Sequence, residues 1–159
     1  GREKANMNIL SALFGRFVLR DVAQVMWHDD NVTNEVSGWL DLGTIYSVED
    51  EINCVDGKLN TSLLLENVDN QSSLKKDENK ILFENLWNVI FSLAHNQLVE
   101  KHKNRFPSLS AVELYRWARE RNIAQYQSLL FYDWLPKFVG LVKYNRIAGK
   151  YKGFQKNVN

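Results

Sequence analysis

Side chains able to do chemistry are few and scattered. Three histidines and one cysteine stand among 159 residues. Histidine works near neutral pH as acid, base or metal ligand. His28 is followed by Asp29 and Asp30, the composition of a small metal cluster. Neighbours in sequence rarely converge on one ion, so a solvated turn over His28-Asp29-Asp30-Asn31 is expected instead. His95 sits in an otherwise apolar helical stretch. It is tempting as a metal or haem ligand, but a lone histidine there is usually a hydrogen-bonded core residue. Cys54 alone can form neither an internal disulfide nor a Cys-rich zinc site. A disulfide to a further part of a longer chain stays open.

Three helices must position whatever site exists. Ile9, Leu10, Leu13, Phe14, Phe17, Val18, Val22 and Val25 recur at helical spacing and predict an amphipathic helix over 6–26. Gly15 inside it costs about 1 kcal/mol relative to alanine, which points to close helix packing or, less simply, to a cofactor edge. A second helix is predicted over 78–103, with Leu82, Leu86, Val89, Ile90, Leu93 and Leu98 as its stripe. Phe83, Trp87, Phe91 and Ala94 widen that stripe, so burial on most sides is expected. Phe106-Pro107 ends it. The third helix starts at Ser110, where Ser110 and Glu113 have capping-box spacing, and Trp134-Leu135-Pro136 marks its exit. Residues 47–80 are polar apart from Leu63-Leu64-Leu65 and read as loop with short helical pieces. The tail from Lys143 onward is basic and is expected to wrap the surface.

Residues 1–159 read as one globular, mainly α unit. The formal net charge of +1, with 20 basic and 19 acidic residues interspersed, argues against a nucleic-acid-binding domain. No run of about 20 apolar residues is available to span a bilayer, and no Gly-rich dinucleotide fingerprint is present. The start at Gly1 suggests a piece or a processed product. Sequons at Asn31, Asn60 and Asn70 fall in predicted loops and are glycan acceptors if the chain is extracellular.

Three stretches together resemble the animal haem peroxidases, over about residues 5–140. Phe14-Gly15-Arg16-Phe17-Val18-Leu19-Arg20-Asp21-Val22 is similar to the family's distal helix, Trp-Gly-Gln-Phe-Leu-Asp-His-Asp-Leu. Asn34-Glu35-Val36-Ser37-Gly38-Trp39-Leu40-Asp41 through Ile45-Tyr46 is similar to Asn-x-x-Thr-x-Trp-Leu-Asp-x-Ser-x-Ile-Tyr-Gly. His95-Asn96, Glu113-Leu114-Tyr115, Ala118-Arg119, Gln127 and Tyr132-Asp133-Trp134-Leu135-Pro136 follow at the family's intervals. The nearest pattern is the degenerate peroxidase-homology ectodomain of dual oxidases, whose parent forms hydrogen peroxide from NADPH.

The resemblance also shows what is missing. The distal histidine position is Arg20, which is protonated at physiological pH and is no base. The haem-linking aspartate position is Leu19. The family's distal arginine and haem-linking glutamate precede its His-Asn pair by 18 and 15 residues, which falls on Asp77 and Lys80. The proximal histidine is expected beyond residue 159. No catalytic or haem-binding residue is therefore assigned. Asp21 matches a family ligand for structural calcium. The loop that supplies the other oxygens is largely gone, so calcium at Asp21 is possible but a capping or surface carboxylate is expected. By resemblance the chain is a non-catalytic extracellular module contacting the rest of its parent, a maturation partner or a second copy. A divergent peroxidase binding haem unconventionally, and an incomplete product without an independent fold, remain open at this point.

Overall fold

A computed structural model describes residues 8–28, 31–34, 36–46, 51, 54–61 and 78–148. For 25–28, 31, 78–84 and 147–148 the backbone alone is described. The first helix, α1 (Ile9–Val22), begins where the Asn8 side chain accepts a hydrogen bond from Ser11 N at 2.9 Å. It buries Phe14, Phe17 and Asp21. It is shorter than the predicted 6–26. Val25–His28 is instead a strand, β1, paired antiparallel with β2 (Asn31–Asn34), Val25 opposite Asn34 and His28 opposite Asn31. The β-branched and aromatic residues of this segment favour a pleated strand. The Asn34 amide donates to Val22 O at 3.1 Å and so satisfies a carbonyl left open at the helix end. The sequon residue Asn31 thus opens a strand rather than lying in a loop. Asp29 and Asp30 lie outside the described residues.

The long helix α2 (Glu78–Arg105) agrees with the predicted span to within two residues at its end. Its buried face does not agree. Asn88, Phe91, Ser92, His95 and Val99 are buried, while Ile90 and Leu93 are 39% and 54% exposed. Three of the five buried side chains are polar, and for His95 hydrogen bonds from neighbouring segments make that possible. The expected burial on most sides is therefore corrected to one mixed face.

Helix α3 (Ala111–Ser128) carries the capping box as read: Glu113 N donates to Ser110 Oγ at 3.3 Å and Ser110 N to Glu113 Oε2 at 2.8 Å. The chain does not leave its helical path at Trp134. A π-helical turn (Leu129–Trp134) passes into α4 (Leu135–Val139). Pro136 lies in the first turn of α4, directly after the π-helical turn. The break comes at Gly140, whose φ of +85° is open to glycine. A final helix, α5 (Leu141–Ala148), replaces the first part of the expected surface-wrapping tail; residues 149–159 lie outside the described residues.

The core joins Phe14 and Phe17 of α1 to Phe91 of α2 and Tyr115, Tyr126 and Leu130 of the α3 path. Two non-helical pieces complete it. Leu42, Ile45 and Tyr46 enter from the segment after β2, and Leu59 from a turn over 55–58. That turn falls within the expected loop, yet Gly57 and Leu59 are buried. Gly57 has φ +80°, and a Cβ there would lie 2.8 Å from Leu114 Cβ and 2.9 Å from Ala111 O. Among the described residues no helix is long and apolar enough to cross a membrane.

Candidate functional site

The three motif stretches meet in space. Gly15 on α1 faces Trp134: a Cβ on Gly15 would stand 2.8 Å from Trp134 Cζ2, and the indole Nε1–H donates to Ser11 O at 2.8 Å. Close packing, not a cofactor edge, explains this glycine. Leu42 N, from the second stretch, donates to Asp21 Oδ2 of the first at 3.3 Å. Gln127 Nε2, from the third, donates to Leu40 O of the second at 2.9 Å.

Tyr46 and His95 join the second stretch to the third through a buried chain of hydrogen bonds. His95 Nε2 lies 3.0 Å from Gly57 O, and Nδ1 lies 3.0 Å from the Tyr46 hydroxyl. A carbonyl only accepts, so Nε2 carries the proton. Nδ1 then accepts from Tyr46 O–H, and the Tyr46 oxygen accepts from Asn122 Nδ2 at 2.8 Å. Asn122 Nδ2 also donates to Phe91 O at 2.8 Å. Burial lowers the His95 pKa from its usual 6.5, the Gly57 carbonyl opposing it. Burial likewise raises the Tyr46 hydroxyl well above the usual tyrosine range, with the Asn122 amide opposing. Beside His95, Asn96 brackets Leu59 with two bonds, Leu59 N to Oδ1 at 2.8 Å and Nδ2 to Leu59 O at 3.0 Å. The arrangement holds a neutral imidazole in the core, as read from sequence, and leaves it no site for a ligand.

Asp21 is 1% exposed, so the expected surface or capping carboxylate is corrected to a buried one. Residues 14, 17 and 21 share one side of α1, and that side faces the core. Desolvation raises the Asp21 pKa above its usual 3.8. The Tyr126 hydroxyl and the Leu42 and Gly43 N–H groups oppose the shift, and Asp41 adds to it. Asp21 Oδ1 and the Tyr126 hydroxyl both lack a hydrogen bond of good geometry. Calcium takes six to eight oxygens. Asp41, the acid beside Asp21, already accepts from Gly43 N at 3.1 Å and Ser37 Oγ at 2.9 Å. Among the described residues no group of three or more His, Cys, Asp or Glu side chains is placed to hold a metal.

The positions aligned with the family's distal histidine and haem-linking aspartate, on the same helix, are not among its buried residues. Arg16 is exposed, Leu19 is 63% exposed and Arg20 is half-buried. Asp77 lies outside the described residues, as do Asn70 and the side chains of Lys80, His28 and Asn31; Asn60 is exposed. A recess of about 170 Å³ opens between Ser11 and Phe14 of α1, Trp87, and Trp134 and Phe138. That is below the roughly 300 Å³ at which small-molecule pockets begin. Sequence reasoning missed Asn122 and Gly57. Asn122 had a signal, since it sits four residues from both Ala118 and Tyr126 on the apolar side of α3.

The family model for animal haem peroxidase matches residues 16–159. Peroxidase mlt-7 of Caenorhabditis elegans is 32% identical over 71 residues, 45% of this chain and 10% of the relative. Dual oxidase 1 of Sus scrofa is 25% identical over 153 residues, covering 79% of this chain and 10% of the relative. Dual oxidase 2 of the same species is 26% identical over 137 residues, covering 69% and 9%. The chain thus spans about a tenth of the length of the relatives it matches. No solved structure matches it. The motifs that meet around Asp21, Tyr46 and Trp134 are those of one family, and the chain belongs to the animal haem peroxidases.

Proposed function

We propose that this chain is a non-catalytic peroxidase-homology module of a dual-oxidase-like parent, with a structural or partner-contacting role. One observation carries the reading. The motif residues this chain keeps, among them Gly15, Asp21, Tyr46, His95, Gln127 and Trp134, hold the stretches to one another. The aligned positions that would serve haem chemistry carry Leu19, which is exposed, and Arg20, which is half-buried. Bound haem would supply the peroxide chemistry in this family. Leu19 has no carboxyl to form a haem ester, and the Arg20 guanidinium takes no proton from peroxide. The residues at these positions do not fit the group.

The test is titration of the purified chain with haemin, followed by peroxide-dependent oxidation of a phenolic dye. The expected result is no Soret change saturating at one equivalent and no turnover above free haemin. A stoichiometric Soret band with turnover above that background overturns the reading and favours a divergent peroxidase. An extracellular location is part of the proposal, and it makes Asn60 a glycan acceptor. Expression through a secretory route should give a mass that falls on enzymatic deglycosylation and on Asn60→Gln; an unmodified secreted product would count against that part.

A further inference from the structure

The recess beside α1 has a chemistry that the peroxidase-like reading does not use. Four of its lining side chains are aromatic: Phe14, Trp87, Trp134 and Phe138. Phe14 stands edge-on to Trp87, with ring centroids 4.8 Å apart, and edge-on to Trp134 at 5.8 Å. Phe138 stacks on Trp134 at 4.7 Å and 11°. The Trp134 indole is held by its bond to Ser11 O, so that wall is set before anything enters, and little ordering cost falls on binding. A drug-sized molecule does not fit. The volume of about 170 Å³ does match a single six-membered ring, since an apolar cavity of roughly 150 Å³ holds benzene. Asp133 and Lys137, one helical turn apart, also line the recess, and both are exposed. Among the described residues neither makes an ion pair, with the other or with a third group.

We propose that this recess binds a free aromatic amino acid of the phenylalanine type. The ring lies among the four aromatic side chains, the ammonium at Asp133 and the carboxylate at Lys137. Aromatic walls with a few polar groups in set places are the usual make-up of a small-ligand site. The two opposite charges select between sources of the same ring. A phenylalanine side chain of a longer polypeptide brings the ring without a charge at its α-nitrogen or α-carboxyl, and leaves Asp133 and Lys137 unanswered. The proposal stands independently of whether the chain has lost peroxidase chemistry.

The experiment is titration of the full 159-residue chain with L-phenylalanine, followed by NMR of the five tryptophan indole N–H signals. Trp87→Phe and Trp134→Phe assign the two that line the recess. Those two should shift and saturate with a Kd of about a millimolar, as befits so small a ligand, while the other three stay in place. N-acetyl-L-phenylalanine amide keeps the ring and lacks both charges. An exposed ion pair contributes up to about fivefold, so the amide should bind roughly tenfold more weakly. Asp133→Asn/Lys137→Gln alters exposed groups alone. It should weaken L-phenylalanine by the same factor and leave the amide unaffected. No saturable shift at the two indoles up to the solubility limit of the amino acid overturns the proposal. So does unchanged affinity in the charge variant. Equal affinity for amino acid and amide overturns it as well, because the recess then takes a side chain of a polypeptide.

Discussion

Two buried titratable residues act on stability in opposite directions. The His95 pKa is lowered in the folded state. Its contribution is therefore present above the unfolded value near 6.5 and is lost as pH falls below it. Thermal unfolding followed from pH 8 to pH 5 should show a falling midpoint through that window. His95→Phe should flatten the slope while lowering stability throughout, by about 1–3 kcal/mol for each buried group left unpaired. Those groups are the Tyr46 hydroxyl and Gly57 O. The Asp21 pKa is raised, so its contribution is full below the unfolded value and is lost as pH rises through the folded one. Asp21→Asn should raise the midpoint at pH 7, and the gain should vanish in acid. Added calcium should leave the wild-type midpoint where it is; an upward shift abolished by Asp21→Asn would establish a metal site there. His95 could be placed in the core from sequence because an imidazole on an apolar helix has few other fates. The burial of Asp21 could not, because it depends on Leu42 and Tyr126, 21 and 105 positions away.

Helix positions were legible because periodicity and caps are local, whereas burial is decided by partners. The span of α2 and the Ser110–Glu113 box were readable for that reason. The buried face of α2 was not, since Asn88, Ser92 and His95 displace the aliphatic Ile90 and Leu93 from the core. The end of α1 was misread because Val25 continues the helical period, while the pairing of β1 with β2 and the Asn34 contact lie beyond it. The contact between α1 and the π-helical turn gives a sharp test. Gly15→Ala on an isolated helix should stabilise by about 1 kcal/mol. Here the new methyl would meet Trp134 Cζ2 at 2.8 Å, so the substitution should destabilise. In a Trp134→Ala background the same change should become neutral or stabilising. Additive effects in this double-mutant cycle, measured by denaturant unfolding, would show that the two residues do not touch.

On the scale of the whole molecule, the distribution of apolar surface matters most. Ile90 and Leu93 share one side of α2 and remain 39% and 54% exposed, and Ile9, Leu10 and Leu19 add to the apolar surface on α1. A side chain three residues on lies about one helical turn away, so Ile90 and Leu93 form a continuous ridge rather than isolated points. Ridges of this kind associate when a partner can cover them. In a longer parent, such as the relatives of which the matched stretch is about a tenth, further chain is available to do so. In the isolated chain the available cover is a second copy. Light scattering over a concentration series should therefore show a mass above the 18.5 kDa of the monomer, rising with concentration. Leu93→Glu should return the protein to a monomer without loss of helix content, because the Leu93 side chain points outward and its removal opens no cavity. Monodisperse wild-type monomer at all concentrations would mean that the α2 ridge is solvated and that contact with the parent lies elsewhere.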